Sequence, residues 1–149
     1  MNPPSADLNV RAVPAHAIID LRHRVLRPGL PREAAMFDGD DLPTSHHFAA
    51  VDAGGRIVGC ATFHLNGYEG EPAWQLRGMA TDPGWAGRGV GRRVLTAGEA
   101  AVVALGPGLL WCNARLPAVG FYERLGWVVC SDLFQIPSAG PHHRMRKRA

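Results

Sequence analysis

No run of about 18 uninterrupted apolar residues occurs in this chain, so no membrane-spanning helix is expected and no membrane partner. The opening residues, MNPPSADLNVRAVPAH, lack a basic segment followed by an apolar one. An export signal is therefore not expected, and a cytoplasmic location is. Cysteine is scarce: Cys60, Cys112 and Cys130 are widely spaced, form neither a disulfide framework nor a CxxC pair, and fit a reducing compartment. The pairs His46-His47 and His142-His143 have no partner at metal-ligand spacing, so no metal site is expected. The net charge is only +3, and the basic residues gather in RGVGRR and HHRMRKRA without interleaved aromatics, which argues against a nucleic-acid partner. There is no repeat, no low-complexity segment and no linker. With 149 residues, 46% of them hydrophobic and 19% charged, residues 1–149 read as one soluble domain with a real core.

The periodicity gives the order of elements. Leu8, Val10 and Ala12 alternate in DLNVRAV, a first strand. Ile18, Leu21 and Val25 recur at helical spacing until Pro28-Gly29. Residues 28 to 45 are rich in Pro, Gly and Asp and read as an ordered loop with one helical turn. Two apolar runs around Asp52-Ala53-Gly54-Gly55 make a hairpin. AWQLRGMATD is a strand, and an apolar helix follows from the glycine-rich loop to Gly106-Pro107. LLWCNA is nearly all apolar, as a strand buried on both faces is. PAVGFYERLG is a short helix, WVVCSDLFQI a further strand and HHRMRK a last, edge strand. This order predicts an α+β (mixed α/β) fold, a mixed sheet with helices on its faces.

Glycine is concentrated at one place. GWAGRGVGRR, residues 84 to 93, sets Gly84, Gly87, Gly89 and Gly91 between a turn and the start of a helix. Glycine is costly to order, and its use there admits close approach to the backbone, where free N–H groups and the helix dipole attract an anion. Two familiar phosphate loops fail by counting. From Gly84 the P-loop pattern reaches Gly89 but then meets Val90, not lysine. The dinucleotide fingerprint meets Arg92 when started at Gly87 and Val94 when started at Gly89. What remains is strand, turn, AGRGVG, helix, which suits a diphosphate, with Arg88, Arg92 and Arg93 at its rim.

Residues 74 to 130 resemble the GNAT superfamily of acyl-CoA-dependent N-acyltransferases. The first signature, RGMATDPGWAGRGVGRRVL, places Gly89 and Gly91 at the family's two small positions, with Ala86 where Arg or Gln is usual. The second is matched by Asn113-Ala114, Ala118, Phe121-Tyr122, Leu125-Gly126 and Trp127. LRHRVLRPG and GPHHRM resemble one branch of small bacterial members more loosely. The resemblance implies a twisted mixed sheet of six to seven strands, splayed between the fourth and fifth, with about four helices on its faces. It implies acetyl-CoA as cofactor. Met79, Ala80 and Thr81 would offer backbone groups to the pantetheine arm. Gly87, Arg88, Gly89, Val90, Gly91 and Arg92 would hold the pyrophosphate. Asn113 would hydrogen-bond the pantetheine, and Ala118 and Phe121 would line the same site. The N–H of Ala80 would face the developing oxyanion, and Tyr122 would protonate the departing thiolate.

The base is not evident. The fourth strand holds no acid, Glu69 and Glu71 precede it in a loop, and His64 ends the strand before. His142 follows a glycine and a proline, which aim a side chain rather than bury one, and is the best candidate to receive the amine's proton. Nothing near Cys112 would activate it, so direct transfer in a ternary complex is expected rather than an acyl-enzyme. The acceptor is an amine of a small molecule or peptide, with a homodimer left open. The loop acids Glu33, Asp38, Asp40 and Asp41 are read as a solvated surface, with attraction of a cationic amine as the alternative. The competing reading of the whole chain is an acyl-CoA-binding regulatory module without turnover.

Overall fold

A computed structural model describes residues 8–149; the first seven residues, which bear on the export-signal expectation and include the start of DLNVRAV, lie outside it. The elements are β1 (Asn9–Val13), α1 (Ile19–Leu26), β2 (His46–Val51), β3 (Ile57–Leu65), β4 (Trp74–Thr81), α2 (Val90–Leu105), β5 (Leu109–Arg115), α3 (Val119–Arg124), β6 (Val128–Val129), β7 (Phe134–Ile136) and β8 (Gly140–Arg148). Single 3-10 turns at Ala15–Ala17, Arg32–Ala35, Pro83–Trp85 and Leu116–Ala118 fill the joints, the second being the helical turn expected in the 28–45 loop.

All the strands join one open mixed sheet in the order β1-β2-β3-β4-β5-β8-β6, with β7 also on β8. β1 to β4 are antiparallel, α2 carries the chain over to β5, and β5 lies parallel to β4. The sheet has eight strands where six to seven are expected, because residues 127–136 form two short strands and not one. β8 is not the edge: it lies between β5 on one side and β6 and β7 on the other. Its basic residues flank His142 and Met145, whose side chains are buried.

Helices cover both faces, so β2 and β3 are buried nearly end to end instead of alternating. On one face α2 inserts Val90, Val94, Leu95 and Val102 among Phe48, Val58, Phe63 and Leu76, and Tyr122 and Trp127 complete that layer. Each such side chain contributes about 1.5–3 kcal/mol through burial. On the other face Ile18, the N-cap of α1, and Leu21 within it pack on Ala49, Val51, Cys60 and Ala80. Trp127 Nε1 donates to Glu99 Oε1 (2.8 Å), and Lys147 Nζ reaches Glu99 Oε2 (3.1 Å), tying α2 to the segment after α3 and to β8.

Two irregularities open the sheet at its centre. β4 and β5 are paired only from Trp74–Leu110 to Leu76–Cys112, and beyond that point they part. On the other edge of β4, the register with β3 passes from Cys60–Ala80 to Thr62–Arg77, so Gly78 and Met79 together oppose Ala61 in a bulge. Gly78 takes the left-handed φ of +63° that this bulge requires.

Candidate active site

The glycine loop follows from its caps. Asp82 ends β4; its carboxylate accepts the Gly84 N–H (2.9 Å) and pairs with Arg56 (2.9 Å). The chain then passes through left-handed conformations at Gly87 (φ +75°) and Gly89 (φ +76°), and Gly89 is the N-cap of α2 with no side chain capping the first turn. A Cβ at Gly87 or Gly89 would meet nothing within 4 Å, so the space above the helix start is open. At Gly91 a Cβ would stand 3.3 Å from Met79 Cε and 3.4 Å from Phe121 Cζ, so smallness is needed for packing there. The loop borders a groove of about 560 Å³ lined by Met79, Ala80, Thr81, Gly87, Gly89, Val90, Gly91, Arg92, Ala118, Phe121 and Tyr122 among others. Of the rim arginines, Arg88 lies over the Trp85 ring at 5.3 Å and Arg93 donates to the Leu8 carbonyl (2.9 Å). Val90 sends its side chain into the core.

A second cleft, of about 220 Å³, fills the gap where β4 and β5 part. Asn113, at the end of the paired part of β5, lines this cleft and not the groove, and its Oδ1 accepts from Arg144 Nε (3.4 Å). His142 lines it too, through β8. The side chain is buried, contrary to the expectation from the preceding Gly-Pro. β7 folds back so that Phe134 pairs with His142, and the rings stack with centroids 5.9 Å apart. His142 Nδ1 donates to the Gly140 carbonyl (2.7 Å), which leaves Nε2 as the acceptor of the ring.

Met79, Ala118 and Tyr122 line both cavities. Tyr122 is buried, its ring set between Phe121 (5.3 Å) and Trp127 (5.5 Å), and its hydroxyl donates to Met79 Sδ at 3.7 Å. Burial, with the Cys112 thiol adding to it, holds the phenol far above the ordinary tyrosine range, so it keeps its proton. Burial does the same to Cys112, which packs in the core. Ala80, whose N–H is expected to face the oxyanion, pairs with Cys60 of β3 in the ladder, and Cys60 Sγ donates to the Gly78 carbonyl (3.4 Å). The backbone that the ladder leaves irregular lies one step earlier, in the Gly78–Met79 bulge.

The remaining candidates for a base are committed elsewhere. Glu71 pairs with Arg148 at the surface. His64 Nε2 donates to Asp40 Oδ1 (2.9 Å). Asp40 is not a solvated loop acid: it is buried and also accepts Arg22 Nη1 (2.6 Å) and the Phe37 N–H (2.9 Å), which together hold its carboxyl far below the usual range. Arg22 is wholly buried and donates further to the Ala35 carbonyl (2.8 Å) and to Thr62 Oγ1 (2.7 Å). Sequence reasoning missed this network, and it missed Arg27, Phe37, Arg77 and Arg115, which line the second cleft. The signal available was the unusual arginine content of LRHRVLRPG, with Arg22 on the helix face shared by Ile18 and Val25.

The model of the acetyltransferase (GNAT) family matches residues 16–127. YitI of Bacillus subtilis (strain 168), described as an uncharacterized N-acetyltransferase, is 31% identical over 146 residues, covering 94% of this chain and 95% of its own. Among solved structures, Escherichia coli ElaA superposes with a TM-score of 0.80 at 13% identity, covering 95% of this chain and 99% of that one. A chain of the NatC complex, solved bound to Gag peptide and CoA, gives 0.77 at 12% identity, with 96% and 99% covered. At these identities the two structures share the fold.

Proposed function

This chain belongs to the acetyltransferase (GNAT) family, and from that premise we propose that it moves an acetyl group from acetyl-CoA to an amine by direct transfer in a ternary complex. The observation that carries the reading is the meeting of two cavities at one buried phenol. One begins on an uncapped, glycine-opened helix start; the other lies in the gap between β4 and β5. The open space over Gly87 and Gly89 fits a diphosphate held by backbone N–H groups, with Arg92 beside it. When bound, acetyl-CoA supplies a thioester-activated acetyl group. Asn113 and the irregular backbone of Gly78 and Met79, which line the gap, would hold the narrow part of the cofactor.

The proton movements fall to two side chains. His142 Nε2 receives the proton that the amine nitrogen loses as its bond to the acetyl carbon forms. It is the one imidazole lining a cleft that contains no carboxylate. Tyr122 gives its hydroxyl proton to the sulfur as the carbon–sulfur bond breaks; its raised pKa keeps that proton available through neutral pH. Neither step needs a covalent enzyme intermediate, and the buried Cys112 thiol is a poor nucleophile. The cysteines Cys60, Cys112 and Cys130 are all free. Among the described residues no helix is long and apolar enough to cross a membrane.

Two measurements test the proposal. Calorimetry should show coenzyme A binding to the purified protein. Thiol release from acetyl-CoA should accelerate with a suitable amine and show sequential, not ping-pong, kinetics. Binding without acceleration by any amine would return the chain to the regulatory reading.

A further inference from the structure

We propose that the acceptor is an amine carrying an oxyanion, carboxylate or phosphate, and that Arg27, Arg77 and Arg115 hold that anion in the cleft beside His142. The inference rests on the acetyltransferase reading above and concerns which amine the cleft takes. All three arginines line the cleft, and no Asp or Glu does. Arg27 Nη1 and Arg115 Nη2 donate to the same acceptor, the Leu26 carbonyl, at 3.0 and 3.4 Å, which brings two like charges together. Arg77 lies over one ring, Phe37, at 4.2 Å, and Arg27 stands 5.6 Å from the same ring. Arg22, also on that ring at 4.0 Å, adds a fourth positive charge beneath them.

Arg22 is neutralised by Asp40, but among the described residues none of the three cleft arginines makes an ion pair with a carboxylate. The nearest acids do not serve. Asp40 is spent on Arg22 and His64, and Asp38, which lines a neighbouring cavity with Arg77, acts on it without contact. Arg27 and Arg77 are partly desolvated and repelled by their neighbours, and both are pushed below the ordinary arginine value. Half-buried guanidinium groups gathered without counter-ions are costly, and an oxyanion taken in two-pronged geometry offsets that cost. The same field repels a polycationic amine. It reverses the reading in which loop acids attract a cation.

The test uses matched acceptors and thiol release from acetyl-CoA: free amino acids against their amides, and phosphoethanolamine against ethanolamine. The anion-bearing member of at least one pair should have the higher kcat/KM by about 10- to 100-fold, the size of a lost charge-assisted hydrogen bond. The pair that responds separates carboxylate from phosphate. Arg115→Gln and Arg77→Gln should each remove about that factor for the anionic acceptor while leaving the affinity for coenzyme A unchanged, which also certifies folding. Arg115→Glu should shift preference toward the neutral member. Neutral or polycationic amines used as well as anionic ones would overturn the inference. So would an Arg115→Gln loss that falls on acetyl-CoA, or no turnover by any of these amines while coenzyme A binds. Absence of coenzyme A binding is a different failure, which removes the parent reading itself.

Discussion

Tyr122→Phe isolates one hydroxyl in an otherwise fixed setting. The ring is held by Phe121 and Trp127 whether or not it carries oxygen, and the variant keeps both contacts. Among the described residues the hydroxyl's hydrogen-bond partner is Met79 Sδ at 3.7 Å, a soft and distant acceptor, so the loss should cost less than about 1 kcal/mol of stability. The catalytic cost is larger. A positioned acid that protonates the leaving sulfur contributes factors that put the expected fall in kcat at about 10- to 1000-fold, or about 1.4–4 kcal/mol of barrier. KM for acetyl-CoA should hardly move, because the hydroxyl acts on the leaving group and not on cofactor binding. The pH dependence has a definite sign. Burial disfavours the phenolate and raises the pKa, so the proton is present throughout neutral and mildly alkaline solution. Raising the pH from about 7 to 9 should therefore not lower kcat through loss of this acid. The assay is steady-state thiol release for both proteins over that range, with thermal unfolding as the control. A phenylalanine variant of full rate and unchanged pH profile would refute the role and leave Tyr122 as packing.

Four further outcomes follow from particular contacts. Gly89→Glu should abolish coenzyme A binding in calorimetry, because the position needs φ +76° and the new carboxylate enters the space open to the diphosphate; unchanged affinity would sink that site. Cys112→Ala should retain activity and lose about 1 kcal/mol to the small cavity, and mass spectrometry during turnover should find no acetyl on Cys112; an acetylated thiol with an inactive variant would overturn direct transfer. His142→Ala should lower kcat/KM by about 10²- to 10⁴-fold, the size of general base catalysis, while coenzyme A still binds, since Nε2 is the ring's acceptor for the amine's proton; a rate equal to wild type would leave His142 a stacking partner of Phe134. Asp40→Asn should cost about 3–5 kcal/mol by leaving Arg22 buried and unpaired. The pKa of Asp40 is lowered on folding, so its contribution is complete above the ordinary value of 3.8 and fades as the pH falls below it; urea midpoints should fall between about pH 4 and 2 in wild type by more than in the variant.

The order of elements was legible because it rests on local signals: apolar spacing in α1 and α2, turn residues at 52–55, and Gly106-Pro107 after α2. The glycine loop was legible for the same reason. Left-handed backbone at Gly87 and Gly89 is a local requirement that almost only glycine meets. What escaped depends on which elements meet in the fold. Whether β8 is an edge is decided by β6 and β7, both of which pair with it, and whether His142 is buried is decided by Phe134. Asp40 looked like one of four loop acids, and only its fold neighbours Arg22 and His64 distinguish it. The arginines of the cleft come from α1, β4 and β5, and no spacing rule links three elements so separated.

Gly78 joins the legible and the hidden parts. A glycine inside the strand stretch WQLRGMAT, Trp74–Thr81, is the usual mark of a bulge or of close backbone approach. The structure uses it for both. Its positive φ makes the bulge opposite Ala61, and beyond Leu76 the same strand has already left β5, so the gap opens between an irregular β4 and Asn113. Its missing side chain is equally needed, because a Cβ there would stand 2.6 Å from Arg22 Nε and 3.1 Å from Phe37. Arg22 Nε is itself buried without a hydrogen-bond partner, so the guanidinium gains nothing from that side except room. The strand's irregularity and the floor of the cationic cleft are thus one packing problem with one solution. Any larger residue at 78 would push on the buried Arg22–Asp40 pair and on the ring that carries Arg27 and Arg77, and so disturb the β4–β5 gap and the cleft that fills it together.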